Sequence, residues 1–443
     1  VTTIVWFRQD LRLADNPALD AAVKRGEPVV PIYIWSPEDD GEWPPGAASR
    51  WWLHQSLHEL DKALRARGSR LILTRGRATE VLPEIARKAG ATAAHWNRRY
   101  EPAAIECSAA VEKALAARGI QTASFNGTLL AEPWDILNLS GKPYRVYTPY
   151  MRRMVRDLNP QPTLRAPTKL KPPPKWPQSA SLDSLDLMPR IHWYTEIAAR
   201  WQPGEHGAHT RLERFIQHKL PKYKEDRDKP AIDATSGLSP HLHFGEIGPR
   251  QIWHALGAKG RNSTFLSELI WREFAYHLLY HFPHTTTKPL NAEFAAFPWK
   301  KNAKHLKAWQ KGRTGIPLVD AGMHELWTTG VMHNRVRMIV GSFLVKNLLQ
   351  PWQEGTRWFW DTLVDADLAN NTMNWQWVAG SGADAAPYFR IFNPLTQAKR
   401  YDPESEYVRR WVSSGAPEPI VDLATSREAA LDAYADMRRR AKP

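Results

Sequence analysis

Short apolar runs alternate with amphipathic stretches over the first 130 residues. The runs are TIVWF (3–7), PVVPIYIW (28–35), RLILTRG (70–76), ATAAHWN (91–97) and QTASF (121–125). They are apolar with little alternation, as strands covered on both faces are. Between them, Leu53, Leu57, Leu60 and Leu64 form one stripe at helical spacing, and Ile85 and Ala86 lie on a second helix that closes at Gly90. Strand–helix alternation predicts a doubly wound α/β parallel-sheet domain over 1–130.

The pattern changes after residue 130. The stretch 159–186, NPQPTLRAPTKLKPPPKWPQSASLDSLD, is rich in Pro and weak in periodicity, so 131–204 reads as an interdomain linker over the surface. From 205 onward helical patterns dominate, as in HTRLERFIQHKL, TFLSELIWREFAYHLLYHF and HNRVRMIVGSFLVKNLL. They predict an all-α C-terminal domain over 205–443.

Charge and composition sharpen this division. The chain carries a formal charge of +14. Residues 1–130 hold 17 Lys/Arg against 15 Asp/Glu, and the remainder holds 43 against 31. A polyanion would therefore meet the C-terminal part. Of 21 Trp, 15 follow residue 130, which suits either a large aromatic core or stacking on flat ligands. Cys107 is the single cysteine, so no intrachain disulfide forms. No apolar run reaches the roughly 18 residues of a membrane span, and VTTIVWFRQDLR does not read as a signal peptide. A cytoplasmic monomer without membrane contact is expected.

Four clusters carry candidate chemistry. Residues 365–377 place two Asp, three Asn and two Trp in thirteen positions, more polar groups than an ordinary helical core satisfies. A polar ligand with a flat ring would satisfy them; a capped loop is the alternative. In ATSGLSPHLHFGEIGP (234–249), hydroxyls precede a helical stretch, which makes either an anion site or an N-cap box. His241 and His243 lack further ligands at metal spacing. In SELIWREFAYHLLYHFP (267–283), Glu268 and Trp271 share a helix face, with Arg272 beside them. In VMHNRVRMIV (331–340), Asn334, Arg337 and Met338 share one stripe, flanked by Arg335.

Together with WFRQDLRLADNPAL, TGIPLVDAGM and WQWVAGSGADAAPYFRIFNP, these segments resemble the photolyase/cryptochrome family along essentially the whole chain. The resemblance implies an α/β antenna domain joined by a long linker to a helical domain holding FAD. By motif, Tyr223, Thr235, Ser236, Leu238 and Ser239 would hold the phosphates and ribityl chain. Arg272, Arg337, Asp365, Asp367 and Asn371 would surround the isoalloxazine and ribose. A pyrimidine dimer flipped out of DNA would stack on Trp271 and on Trp377, which is expected in a loop. Glu268 and Asn334 would bond its edges, with Arg335 and Met338 completing the pocket. Trp375, Trp352 and Trp299 match a photoreduction chain; plain packing is the alternative reading of each.

The implied activity is that of a deoxyribodipyrimidine photolyase, splitting cyclobutane pyrimidine dimers by electron transfer from reduced FAD. The alternatives are a blue-light receptor of the same fold, a photolyase for (6-4) photoproducts, and a DNA-binding module without catalysis. Receptors commonly carry a long tail after the motif ending at Pro394, and plant receptors tend to have Asp at the position of Asn371. Enzymes for (6-4) photoproducts need pocket histidines where Asn334 and Met338 stand. An antenna chromophore is expected as well. Methenyltetrahydrofolate is favoured over deazaflavin or flavin, although Ala103 and Ala104 stand where folate binders often have a carboxylate; Glu101 or Glu106 would substitute.

Overall fold

A computed structural model describes residues 1–260, 263–385, 389–412 and 417–440. Three residues of the last motif, 386–388, lie outside that range. The five apolar runs form strands β1 (Thr2–Phe7), β2 (Val29–Trp35), β3 (Ile72–Arg75), β4 (Ala91–Asn97) and β5 (Gln121–Phe125). They make one parallel sheet in the order β3-β2-β1-β4-β5, with Thr3 opposite Val29 on one side and Ala93 on the other. Every residue of β1 and β2 is buried, which is why neither alternates. Helices α1 (Pro17–Lys24), α2 (Ala47–Arg65), α3 (Ala78–Lys88) and α4 (Pro102–Ala116) flank the sheet. The leucine stripe of α2 packs with Val5, Phe7, Tyr33 and Trp35 in one core; Leu82, Ile85 and Ala86 of α3 pack with Ile4, Ile32 and Ile72 in another.

The stretch expected as a surface linker contains helices, the longest being α5 (Tyr147–Asp157). Tyr147, Tyr150 and Met154 recur at three- and four-residue spacing and are buried against the helical part. The remaining helices are α6 (Thr195–Arg200), α7 (Glu205–His218), α8 (Tyr223–Asp226), α9 (Ser239–His243), α10 (Pro249–Gly260), α11 (Thr264–His281), α12 (Ala303–Gln310), α13 (Pro317–Thr329), α14 (Asn334–Ser342), α15 (Trp352–Thr362), α16 (Leu368–Ala379), α17 (Pro394–Tyr401), α18 (Glu406–Trp411) and α19 (Leu423–Arg440). The run expected as one helix after His333 widens into a π turn at Phe343–Asn347. No described helix is long and apolar enough to cross a membrane.

Buried polar bonds join the α/β and helical parts. Glu205 accepts from Leu13 N and Ala14 N, both at 2.9 Å. Arg12 donates across to Gly245 O at 2.9 Å and, within the α/β part, to Gly127 O at 2.7 Å. Trp52 donates to Glu246, whose other oxygen meets His241. Gly245 has a φ of +66°, and a Cβ there would lie 2.1 Å from Gln9 O, so the close approach of the two parts requires glycine.

Candidate active site

The acidic–amide cluster is helical. Asp367 caps α16 by accepting from Asn370 N, and Gly380 ends it in the left-handed conformation. Trp377, expected in a loop, therefore sits in the last turn of α16. One helix carries Asn371, Trp375 and Trp377, and its periodicity is hidden because its buried face includes Asn371, Thr372 and Gln376 among the apolar residues.

Asp365, just before α16, is the hub of one side. Arg337 of α14 donates through Nη2 to both its oxygens, at 3.1 and 2.9 Å, and Ser239 Oγ donates at 2.6 Å. Arg337 Nε is held by Met332 O at 2.7 Å. The guanidinium is thus fixed in a charge-assisted pair with Nη1 unengaged among the described residues. Asn371 gives one amide hydrogen to Thr356 O at 3.1 Å, which sets the amide plane and leaves its second hydrogen available.

Asp367 is buried against Tyr276, which donates to it, and lies 3.8 Å from His243. Burial alone would raise this carboxyl; His243, Arg272 and Tyr276 outweigh it and hold it well below the usual range. Arg272 is buried beside the same group and donates to Thr128 O at 2.9 Å. Burial pulls it down, but Tyr276, Asp367 and Glu273 more than offset this and raise it.

The hydroxyls of 235–239 do not cap a helix. The N-cap of α9 is Leu238, without a side-chain bond, and α9 is only five residues long. Thr235 and Ser236 are half-buried, Leu238 is buried, and Tyr223 sits nearby in the same core as Leu238. The N-cap reading therefore fails for this segment.

A second group gathers at one end of α11. Glu268 pairs with Arg227, Arg227 lies beside Asp228, and Asp228 accepts from Arg335 Nη2 at 2.7 Å. Arg335 also covers Tyr401 at 4.5 Å and reaches Met338 Sδ. Asn334 is exposed at the start of α14. Trp271 is half-buried and stacked on Tyr147. Trp377, on α16, packs against a different core from Trp271; it is half-buried, stacked near Phe392 at 6.2 Å, with Arg390 over its ring. Glu268, Arg335 and Met338 are thus linked through Arg227 and Asp228. His333 accepts from Arg335 N as the N-cap of α14. Burial pushes it down to about 4, so it is a neutral cap at physiological pH.

Trp375 is buried between α15 and α16, edge-on to Phe359 at 5.0 Å and Trp309 at 6.2 Å. Trp352 is buried in the same core, and half-buried Trp299 packs where that core meets the next, 4.3 Å from Phe297. Trp352 and Trp375 belong to one apolar core, and Trp299 packs against it.

The family model described as DNA photolyase matches residues 3–174, and that described as the FAD binding domain of DNA photolyase matches 265–416. A deoxyribodipyrimidine photo-lyase of Agrobacterium fabrum is 45% identical over 98% of each chain. Cryptochrome-2 of Arabidopsis thaliana is 40% identical over 94% of this chain and 71% of its own length. The crystal structure of a bacterial class III photolyase from Agrobacterium tumefaciens superposes with a TM-score of 0.94 at 44% identity, covering 99% of this chain and 98% of that one. The chain belongs to the photolyase/cryptochrome family.

As a member of that family it carries an FAD-binding domain. The donor set fits the cofactor: guanidinium groups suit its anionic parts, the half-buried hydroxyls of Thr235 and Ser236 its phosphates, and the oriented amide of Asn371 its ring edge. A cavity of about 830 Å³, including its open mouth, lies at the carboxyl ends of β1 and β2. Trp6, Tyr33, Trp35 and Trp43 line it from the α/β part, and His243 and Trp360 from the helical part. Neither Glu101, which accepts from Arg99 and Tyr100 N, nor exposed Glu106 lines it. The carboxylates that line it are Asp39 and Asp40. Sequence reasoning missed these, as it missed Arg227, Asp228, Tyr276 and Tyr147. The acidic pair Asp39–Asp40 and the mixed pair Arg227–Asp228 were the available signals, but surface charges look the same until the fold supplies their partners.

Proposed function

We propose that this chain is a deoxyribodipyrimidine photolyase that splits cyclobutane pyrimidine dimers in DNA under light. The reading rests on its likeness to such an enzyme, which runs end to end at 45% identity. Reduced FAD held in the helical domain would supply the light-driven electron transfer that opens the dimer.

The chain's own groups do the rest. Arg337, held by Asp365, balances the cofactor's negative charge, with Arg272 and Asp367 as a second pair. Asn371 directs an amide hydrogen at the ring. Tyr223, Thr235, Ser236, Leu238 and Ser239 hold the phosphates and ribityl chain. Trp271 and Trp377 offer flat faces to a flipped dimer; Asn334, Arg335 and Met338 line its edges. Glu268, oriented and charge-balanced by Arg227, accepts from a ring N–H of the flipped dimer. Trp375, Trp352 and Trp299 carry electrons in from the surface to reactivate oxidised cofactor. The cavity beside β1 and β2 takes an antenna chromophore, and folate is favoured over deazaflavin or flavin. Asp39 and Asp40 offer acceptors for ring amino groups, and the tryptophans offer walls.

The test is repair of an oligonucleotide holding one thymine dimer by reduced protein, in blue light and in darkness. Restoration of intact thymines in light alone is expected. Flavin reduction without dimer loss would overturn the proposal in favour of a receptor.

A further inference from the structure

Trp271 does not stand free. Tyr147 of α5 lies flat on it, with ring centroids 3.5 Å apart and planes 8° from parallel. The Tyr147 hydroxyl donates to Ser267 O at 2.8 Å and meets Ser267 Oγ at 2.8 Å. Ser267 is one helical turn before Trp271, so Tyr147 is fastened to the same face of α11 that carries the indole. Phe274 touches Trp271 edge-on at 5.8 Å and Tyr147 edge-on at 5.9 Å. Tyr147 itself is buried, 6% exposed, whereas Trp271 is half-buried. One face of the indole is therefore closed by a fixed ring, its plane is set by a second, and its exposed surface belongs to what is left.

We infer that Tyr147 is a positioning residue for lesion recognition: it locks Trp271 in one orientation and leaves a single face for a flipped base. This rests on the proposal that Trp271 stacks on the dimer. A side chain already held in its binding rotamer loses less freedom when the ligand arrives, so the closed face adds affinity without touching DNA. It also ties that affinity to the segment between the two domains, since α5 supplies the ring.

The test is a double-mutant cycle on the FAD-loaded protein. Affinities are measured for matched single strands with and without one thymine dimer, for wild type, Tyr147→Leu, Trp271→Ala and the double variant. Loss of one aromatic pair predicts that Tyr147→Leu weakens dimer binding roughly three- to tenfold and leaves the undamaged strand unchanged. In the Trp271→Ala background the same change has no further effect, and Tyr147→Phe, which keeps the ring, restores discrimination. If Tyr147→Leu loses FAD or aggregates, Tyr147→Met, which fills similar space without a flat ring, is read in the same cycle. Additive losses, equal losses on both strands, or no loss while Trp271→Ala is impaired would overturn the role of Tyr147 and leave the pocket standing. Unchanged dimer affinity in Trp271→Ala would instead remove the pocket assignment, and the inference with it.

Discussion

Asn371 shows how much depends on one atom. Its side chain is buried, and one amide hydrogen is spent on Thr356 O. Replacing nitrogen by oxygen there puts an acceptor opposite a carbonyl and, on the proposed placement of FAD, a carboxylate beside the cofactor ring. Two negative charges in one dry site disfavour each other. Asn371→Asp should retain FAD but lower the midpoint potential for its full reduction, so that illumination with an external donor no longer accumulates the anionic reduced form. Spectroelectrochemical titration of the purified variant checks this; an unchanged midpoint would detach Asn371 from the ring. The partner of Asn371 is a backbone carbonyl fifteen residues away, which no pattern in residues 365–377 reveals. The same holds for Glu268, whose motif is readable while its ion pair with Arg227, 41 residues earlier, is not.

At the level of elements, periodicity was legible where burial is simple and hidden where it is not. β1 and β2 stand out because both faces are covered. α5 was overlooked because Pro-rich sequence follows it, and α16 looked like a loop because polar groups sit on its inner face. Two predictions follow from packing between elements. A Cβ on Gly355 of α15 would lie 2.1 Å from the Trp375 ring of α16. Gly355→Ala should cost about 1–3 kcal/mol by overpacking, read from chemical denaturation, and should displace Trp375 enough to slow flavin photoreduction. Unaltered stability would mean that α15 and α16 slide apart freely. The second concerns Glu273, which ties α11 to the chain after β5 by accepting from Leu130 N at 2.9 Å and Ala131 N at 3.4 Å. Burial pushes its carboxyl up to about 7, against 4.5 when unfolded. The folded state then holds a proton that the unfolded state has released, so this contribution to stability is full below 4.5 and is lost as pH rises through about 7. Glu273→Gln should flatten the pH dependence of unfolding free energy between those values, measured by urea titration; an identical slope would show that other groups set it.

For the whole molecule, the uneven charge separates affinity from discrimination. Residues beyond 130 hold 43 Lys/Arg against 31 Asp/Glu, and that excess attracts any phosphate backbone. Each phosphate neutralised on a single strand contributes about −0.7 to the slope of log K against log salt concentration, whatever the bases are. The two indoles assigned to the lesion carry no charge. Stacking on one aromatic is worth roughly 1–3 kcal/mol per base, about five- to 150-fold in affinity, and does not depend on salt. Dimer-containing and undamaged strands should therefore give two parallel lines between 50 and 300 mM salt (about a sixfold span). Trp377→Ala should bring the lines together by about tenfold without tilting either, since Arg390, which covers that ring, lies on the exposed side and keeps its own reach to phosphate. A steeper line for damaged DNA would mean that extra ion pairs rather than flat walls read the lesion. Trp377→Ala lowering both lines equally would make this tryptophan a packing element between α16 and Phe392 and move the pocket elsewhere on the helical domain.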